Sequence, residues 1–177
     1  MSEFIEFNSN IHRTELIVLN TEYLKWAAIE LKERYNIDFF DPNEDLDSVI
    51  LEYATKNVDE IAEYDPNKGK YLLVSFEGKC AGMGGLKELK PNTGEIKRMY
   101  IRKEFRGQGL GWDLLNKLVK IGKNLDFSSI LLDSTKFMKS AHKIYKSAGF
   151  KEIKPYPESE IPNHLQKHWI FMEKKLK

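Results

Sequence analysis

"RKEFRGQGLGWDLL", residues 102–115, places Gly107, Gly109 and Gly111 at alternate positions directly before an amphipathic run. Glycine costs about 0.5–1 kcal/mol per position inside a helix relative to alanine. Three of them within five residues is a local penalty that only a need of the backbone itself explains. Successive backbone N–H groups can converge on an anion where no Cβ stands in the way. A helix N-terminus adds about half a positive charge at the same place. The stretch therefore reads as a phosphate-holding loop, with a pyrophosphate on the backbone of residues 106–112. Close packing of the helix on a sheet is the plainer use of the same glycines. A P-loop is excluded, because no lysine-hydroxyl pair follows in a GxxxxGK[ST] frame. A dinucleotide fingerprint is excluded too: the spacing is GxGxG, and the strand before it is not a parallel one.

Working outward, "EIKRMYI", residues 95–101, reads as an antiparallel strand leading into the loop. Its alternation sets Ile96, Arg98 and Tyr100 against Glu95, Lys97, Met99 and Ile101. "YLLVSFEGKCAGMGGLKEL", residues 71–89, reads as two strands joined at Glu77-Gly78-Lys79. "PNTG", residues 91–94, is a further turn. After the loop, Leu114, Leu115, Leu118 and Val119 mark the inner face of a helix. "SSILLDS", residues 128–134, is a short apolar strand, and "MKSAHKIYKSAGF" is a short helix ending at Gly149, a left-handed C-cap position. Two last strands follow near Phe150–Lys154 and Lys167–Lys174, with the ordered loop "KPYPESEIPNHLQ" between them. Upstream, Leu16, Leu19, Tyr23, Trp26, Ala27 and Leu31 predict a helix from about Ile11 to Arg34. A second helix is expected to start at "DPNE", with Asp41 as cap, Pro42 at the first helical position and Glu44 closing a capping box. It carries Leu46, Val49, Ile50, Tyr53, Val58 and Ile61 on one face and stops at "YDPNKGK", residues 64–70. Two helices, a meander and then strand–helix–strand–helix–strand give a mixed α/β sheet covered by helices.

The 177 residues fit a single domain, 1–177, and bury enough surface for a full core without staples. The charges nearly cancel, 28 basic against 27 acidic, so bulk charge points to neither nucleic acid nor membrane. No apolar run approaches the roughly 18 residues of a bilayer span, and the N-terminus has no secretory pattern. Cys80 is the one cysteine and reads as a filler of a small apolar slot, leaving no disulfide and no cysteine metal cluster. His164 and His168 are four apart without an HExxH frame, so no metal is expected. These features lead to an expectation of a soluble, cytoplasmic protein.

"RGQGLG", residues 106–111, resembles the [RQ]-x-x-G-x-[GA] acyl-CoA signature of the GNAT superfamily of N-acetyltransferases. "SAHKIYKSAGFKEI", residues 140–153, resembles its second signature, an alanine, then a tyrosine four residues on, then Gly-Phe. The hairpin at 71–89 stands where the family's second and third strands belong. The resemblance spans about Tyr71 to Leu176, and the N-terminal helices match only in outline. It implies a GNAT-like fold: a mostly antiparallel sheet with helices on both faces, splayed between the 95–101 and 128–134 strands. Many members open the second signature with Asn; Ser140 stands there in this chain.

What the resemblance implies is acetyl transfer from acetyl-CoA to a primary amine by direct attack in a ternary complex. A non-catalytic acyl-CoA-binding or sensing domain of the same fold is the alternative. The implied cofactor contacts are Arg106, Gly107, Gln108, Gly109, Leu110, Gly111 and Trp112 in the loop, with the strand backbone of Met99, Tyr100 and Ile101 pairing with the pantetheine arm. Ser140, Lys143 and Lys146 on the later helix complete the set, although helix lysines are commonly just solvated. Attack requires a neutral amine, a donor facing the thioester oxygen and an acid near sulfur. Glu95 matches the family's strand base, with a solvated strand-start residue as the alternative, and backbone N–H near Met99 matches the oxyanion donor. Tyr145 matches the thiolate acid, with core packing as the alternative. Asp133 and Ser134 end a strand at the expected opening and could touch substrate or merely turn the chain. The acceptor is a small-molecule or peptide amine, and the protein a monomer or homodimer. Residues 41–65 hold nine acids against one base, a net of −8. In this family the N-terminal helices border the acceptor groove, so an acidic wall there would draw a cationic amine; a solvated helix face is the alternative.

Overall fold

The computed structural model describes residues 1–176. A short strand β1, Ser2–Glu6, precedes the long helix α1, Ser9–Tyr35. The Asn8 side chain caps α1 by accepting the Asn10 N–H at 3.0 Å. At the other end Asn36 turns left-handed, φ 54, and the Ile37 N–H reaches back to Leu31 O.

The second helix begins later than "DPNE" suggests. α2 runs Leu46–Ala62, and Asp45 is its cap, bonding both the N–H and the hydroxyl of Ser48 at 2.9 and 2.7 Å. Asp41 instead accepts the Asn43 N–H at 2.9 Å and closes a turn. Asp-Pro-Asn is turn chemistry as much as helix-start chemistry. The helix starts where Asp45 can cap it and its first inner residue, Ile50, reaches the core.

Strands β2, Gly69–Phe76, and β3, Lys79–Lys90, form a hairpin through Glu77 and Gly78, both left-handed at φ 51 and 75. β4, Thr93–Ile101, continues the meander. Helix α3, Leu110–Asn124, crosses over to β5, Ser129–Thr135. Helix α4, Lys139–Ser147, and strands β6, Lys151–Ile153, and β7, Trp169–Lys175, complete the chain. The sheet order is β1-β2-β3-β4-β5-β7-β6, and β4–β5 is its single parallel pair among the described residues.

The two faces of the sheet carry separate cores. Leu114, Leu115 and Leu118 of α3 pack on Leu72, Val74, Ile96, Ile130 and Leu132. Leu16 and Leu19 of α1 with Val58 and Ile61 of α2 pack on Tyr71, Leu73 and Met83 of the other face. Further along α1, Leu31 meets Leu131, Tyr156, Trp169 and Phe171. Strand residues alternate between the cores as the pleat demands.

Candidate active site

β4 and β5 pair only at Thr93–Ser129, Gly94–Ile130 and Glu95–Leu131. Past Glu95 they part. Each is held from its outer side: β4 stays on β3 as far as Ile101–Gly82, and β5 stays on β7 as far as Thr135–Trp169. The sheet therefore opens between them, with two inner backbone edges free of strand partners.

A bulge shapes one wall of the opening. Between the pairs Gly85–Lys97 and Met83–Tyr100, β4 carries Arg98 and Met99 against the single residue Gly84. Arg98 takes φ 50. The even alternation read from the sequence is broken there, because the extra residue lets Arg98 turn to the same face as Lys97. Arg98 Nη1 donates to Asn20 Oδ1 of α1 at 3.3 Å. Ile96, Met99 and Ile101 pack on the α3 side, and Tyr100 on the α1 side.

The glycine loop follows at the edge of the opening. Gly107 and Gly109 are both left-handed at φ 81, and a Cβ on either would meet no atom within 4 Å. Gly111 differs: a Cβ there would lie 3.3 Å from Ile144 Cδ1, so its role is packing of α3 on α4. Two glycines thus answer to conformation and one to contact. Gly109 is the N-cap of α3, and its carbonyl receives the Asp113 N–H at 3.0 Å. The N–H groups of Leu110, Gly111 and Trp112 lie in the first turn and have no intrahelical acceptor. Leu110 is 2 % exposed, so it offers the opening only backbone, whereas Gln108 and Trp112 are exposed. Arg106 Nε donates to Ile101 O at 2.9 Å, and its guanidinium lies 5.3 Å from the Trp26 ring. On α4, Ser140 and Lys143 are exposed. Lys146 is engaged with Glu152 at 2.7 Å, which holds that carboxyl below its ordinary range.

Tyr145 is buried on the α3 side and packs against Phe150. Burial pushes its phenol up, and Tyr23 and Asp133 on the far side add to the shift. Its hydroxyl is therefore a neutral donor at working pH.

On the α1 side lies a buried polar cluster. Glu95 is 1 % exposed and stands at the last paired position of β4. Tyr156 donates to Glu95 Oε1 at 2.6 Å, and Lys97 Nζ lies 2.7 Å from Oε2. Burial alone would lower Lys97; Glu95, Glu160 and Asp133 reverse this and raise it. Asp133 sits on β5 just beyond the end of the pairing, 3.5 Å from the Tyr156 hydroxyl. Burial, reinforced by Glu95 and Glu160 and opposed by Lys97, pushes its carboxyl up to about 6.

Glu95, Asp133 and the 106–112 loop thus border the opening, and Tyr145 lies on the α3 side in the core that α3 and α4 share. Ser134 does not join them: it points to the other face and meets His142 Nε2 at 3.1 Å. All nine acids of residues 41–65 are exposed. Asp59 pairs with Arg13 at 2.8 Å, and Asp47 pairs with Lys25 at 2.6 Å. Sequence reasoning missed Tyr156 and Glu160. Both come from the loop between β6 and β7, where a lone tyrosine and a lone glutamate carry no motif.

A GNAT family acetyltransferase model matches residues 28–150. An uncharacterised N-acetyltransferase of Schizosaccharomyces pombe is 32% identical over 120 residues, which cover 64% of this chain and 74% of that protein. N-acetylaspartate synthetase of Danio rerio is 30% identical over 121 residues, 64% of this chain and 43% of that longer one. Among solved structures, a GNAT acetyltransferase of Staphylococcus aureus superposes at a TM-score of 0.70 with 25% identity, all of both chains covered. The PaiA N-acetyltransferase of Thermoplasma acidophilum, bound to coenzyme A, superposes at 0.73 with 22% identity over 99% of each. The chain belongs to the GNAT family of acetyltransferases.

Proposed function

We propose that the protein, working as one domain over 1–177, transfers the acetyl group of acetyl-CoA to a primary amine by direct attack with both substrates bound. The observation that carries this reading is the opening between β4 and β5 with the glycine cradle at its edge. The open space at the Cβ positions of Gly107 and Gly109 fits a pyrophosphate, and the first N–H groups of α3 supply donors and dipole. The coenzyme A held by the Thermoplasma relative supports the same ligand class. Arg106, Gln108 and Trp112 frame the loop, and Ser140 and Lys143 stand exposed nearby on α4; Lys146 would have to exchange Glu152 for a phosphate. The free inner edge of β4 at Met99, Tyr100 and Ile101 can pair with the amide groups of the pantetheine arm as an added strand would.

The thioester supplies the electrophilic carbonyl. Backbone N–H at the bulge near Met99 faces the oxygen on which charge develops. Glu95, on the α1 side, takes up the proton that the amine must lose. Tyr145, on the α3 side, protonates the leaving sulfur. Acid and base thus approach from opposite faces of the sheet, which keeps the two proton transfers apart.

Calorimetric titration with acetyl-CoA, and thiol release over a panel of amines, test this. Binding and turnover of a primary amine are expected. Gly109→Glu, which adds bulk and like charge, abolishes binding. A Gly109→Glu protein that binds acetyl-CoA with wild-type affinity overturns the cradle. Tight binding with no amine turned over leaves a sensing domain instead.

A further inference from the structure

Arg98 stands apart from the neighbouring cations Lys97 and Arg102. Lys97 beside it holds Glu95 and Glu160, and Glu22 clasps Arg102 through both oxygens. Among the described residues Arg98 forms no ion pair. Its guanidinium makes the long bond to Asn20 and lies 5.6 Å from the ring centre of the half-exposed Tyr53 of α2. A guanidinium carries five N–H donors, so most of its capacity is unspent. Its φ of 50 is a conformation that disfavours a residue with a Cβ. Such outliers persist where something requires them. Here the bulge turns a cation away from the apolar α3 side, where regular alternation would put it, and toward the α1 side.

Tyr71 provides an independent observation. It is 3 % exposed, and its hydroxyl is buried without a hydrogen-bond partner. The ring lies flat over Gly85: a Cβ there would stand 2.3 Å from Cδ2 and 2.6 Å from Cε2. Tyr71, Gly85 and Lys97 are register partners across β2, β3 and β4, so the ring spans β3 and directs its hydroxyl toward the bulge. Burial pushes that phenol up, and the Arg98 guanidinium acts against the shift. One turn beyond Tyr53, Asn57 Oδ1 is also buried and unpartnered. Buried polar atoms without partners are uncommon in native proteins, and the Tyr71 hydroxyl lies where a guanidinium with free donors acts on it.

We propose that Arg98, with the Tyr71 hydroxyl, binds a carboxylate of the acceptor, so that the acceptor is a small amino acid. The planar fork of arginine matches a carboxylate through two parallel bonds. Arg98 directly precedes Met99 on β4, and consecutive Cα atoms are about 3.8 Å apart. The acceptor's amine and carboxylate would thus be separated by no more than the reach of one arginine side chain. This inference rests on the acetyl-transfer reading for its amine end.

The test compares the common L-amino acids with their carboxamides as acceptors, by thiol release from acetyl-CoA. The amides keep the amine and the side chain and lose the charge. Wild type is expected to favour at least one acid over its amide by about 100-fold or more in kcat/KM, the loss seen when a buried charge pair is broken. Arg98→Met brings the acid-to-amide ratio close to one, and Arg98→Lys retains part of it. Tyr71→Phe lowers kcat/KM for the acid about tenfold, mainly through KM. Equal use of acid and amide by wild type overturns the carboxylate site and leaves acetyl transfer standing. A second readout needs no turnover and no variant that must fold: saturation-transfer NMR of the N-acetyl amino acids against their amides on wild type. Selective binding of the acids, with no amine turned over, keeps the carboxylate site and overturns acetyl transfer. Absence of both acid binding and acid preference overturns the site.

Discussion

Gly109→Ala isolates what the cradle glycine does. The residue sits at φ 81, and a Cβ there would meet no atom within 4 Å, so the substitution adds strain without a clash. A left-handed conformation costs a residue with a Cβ about 1–2 kcal/mol. For a domain of this size each kcal/mol moves Tm by about 2–4 °C. Gly109→Ala is thus expected to lower Tm by about 2–8 °C. The added methyl also occupies the space where the anion would approach, so acetyl-CoA affinity falls at least about tenfold, the equivalent of 1.4 kcal/mol. Gly111→Ala is the matched control. It removes a glycine from the first turn of a helix, a gain of up to about 1 kcal/mol, and asks only that the Ile144 methyl give by a few tenths of an ångström. Its Tm stays within about 2–4 °C of wild type and its cofactor affinity is unchanged. Thermal melts and calorimetry with acetyl-CoA measure both. A Gly109→Ala protein with wild-type affinity, or a Gly111→Ala protein that loses as much, refutes the division of labour between the two glycines.

Tyr145→Phe keeps the ring on Phe150 and removes the donor; single-turnover acetyl transfer slows by about 10²–10⁴-fold at nearly unchanged acetyl-CoA affinity, and an equal rate removes Tyr145 as the acid. An unfolded aspartate titrates near 3.9, whereas Asp133 is raised to about 6 in the fold. Between those values the folded state holds a proton that the unfolded chain has released, so this group's stabilisation is complete below about pH 4 and lost as pH rises to about 6. Asp133→Asn makes stability fall less steeply with pH across that window in denaturant melts, and an unchanged slope shows that Asp133 titrates normally. Gly85→Ala drives a methyl into the Tyr71 ring, 2.3 Å from Cδ2, and lowers stability by about 1–3 kcal/mol; an unaltered Tm means that the ring is free to move aside.

The sequence by itself determined the features that depend on neighbours along the chain. Gly107 and Gly109 carry their backbone requirement in their own composition, whereas the contact that Gly111 serves needs α4 beside it, and the hairpin at 71–89 announces its turn at Glu77-Gly78. The helix faces of α1 and α3 follow from the 3.6-residue period, and Tyr145 stands at a fixed spacing from Gly149-Phe150. Local patterning can misplace a boundary where two signals compete, as Asp41 and Asp45 did for the start of α2. Only the tertiary structure decided how far β4 and β5 stay together. Their separation past Glu95 arises because each is held by an outer neighbour, and those neighbours are distant in sequence. The bulge at Arg98 is likewise invisible in an alternating string. One extra residue against Gly84 turns Arg98 from the α3 side to the α1 side, and nothing in "EIKRMYI" marks which residue is extra. Tyr156 reaches Glu95 across 61 residues of chain, from a loop with no period to read. A buried charge is placed by whatever the fold brings against it, and pairings of that kind form only when the sheet closes.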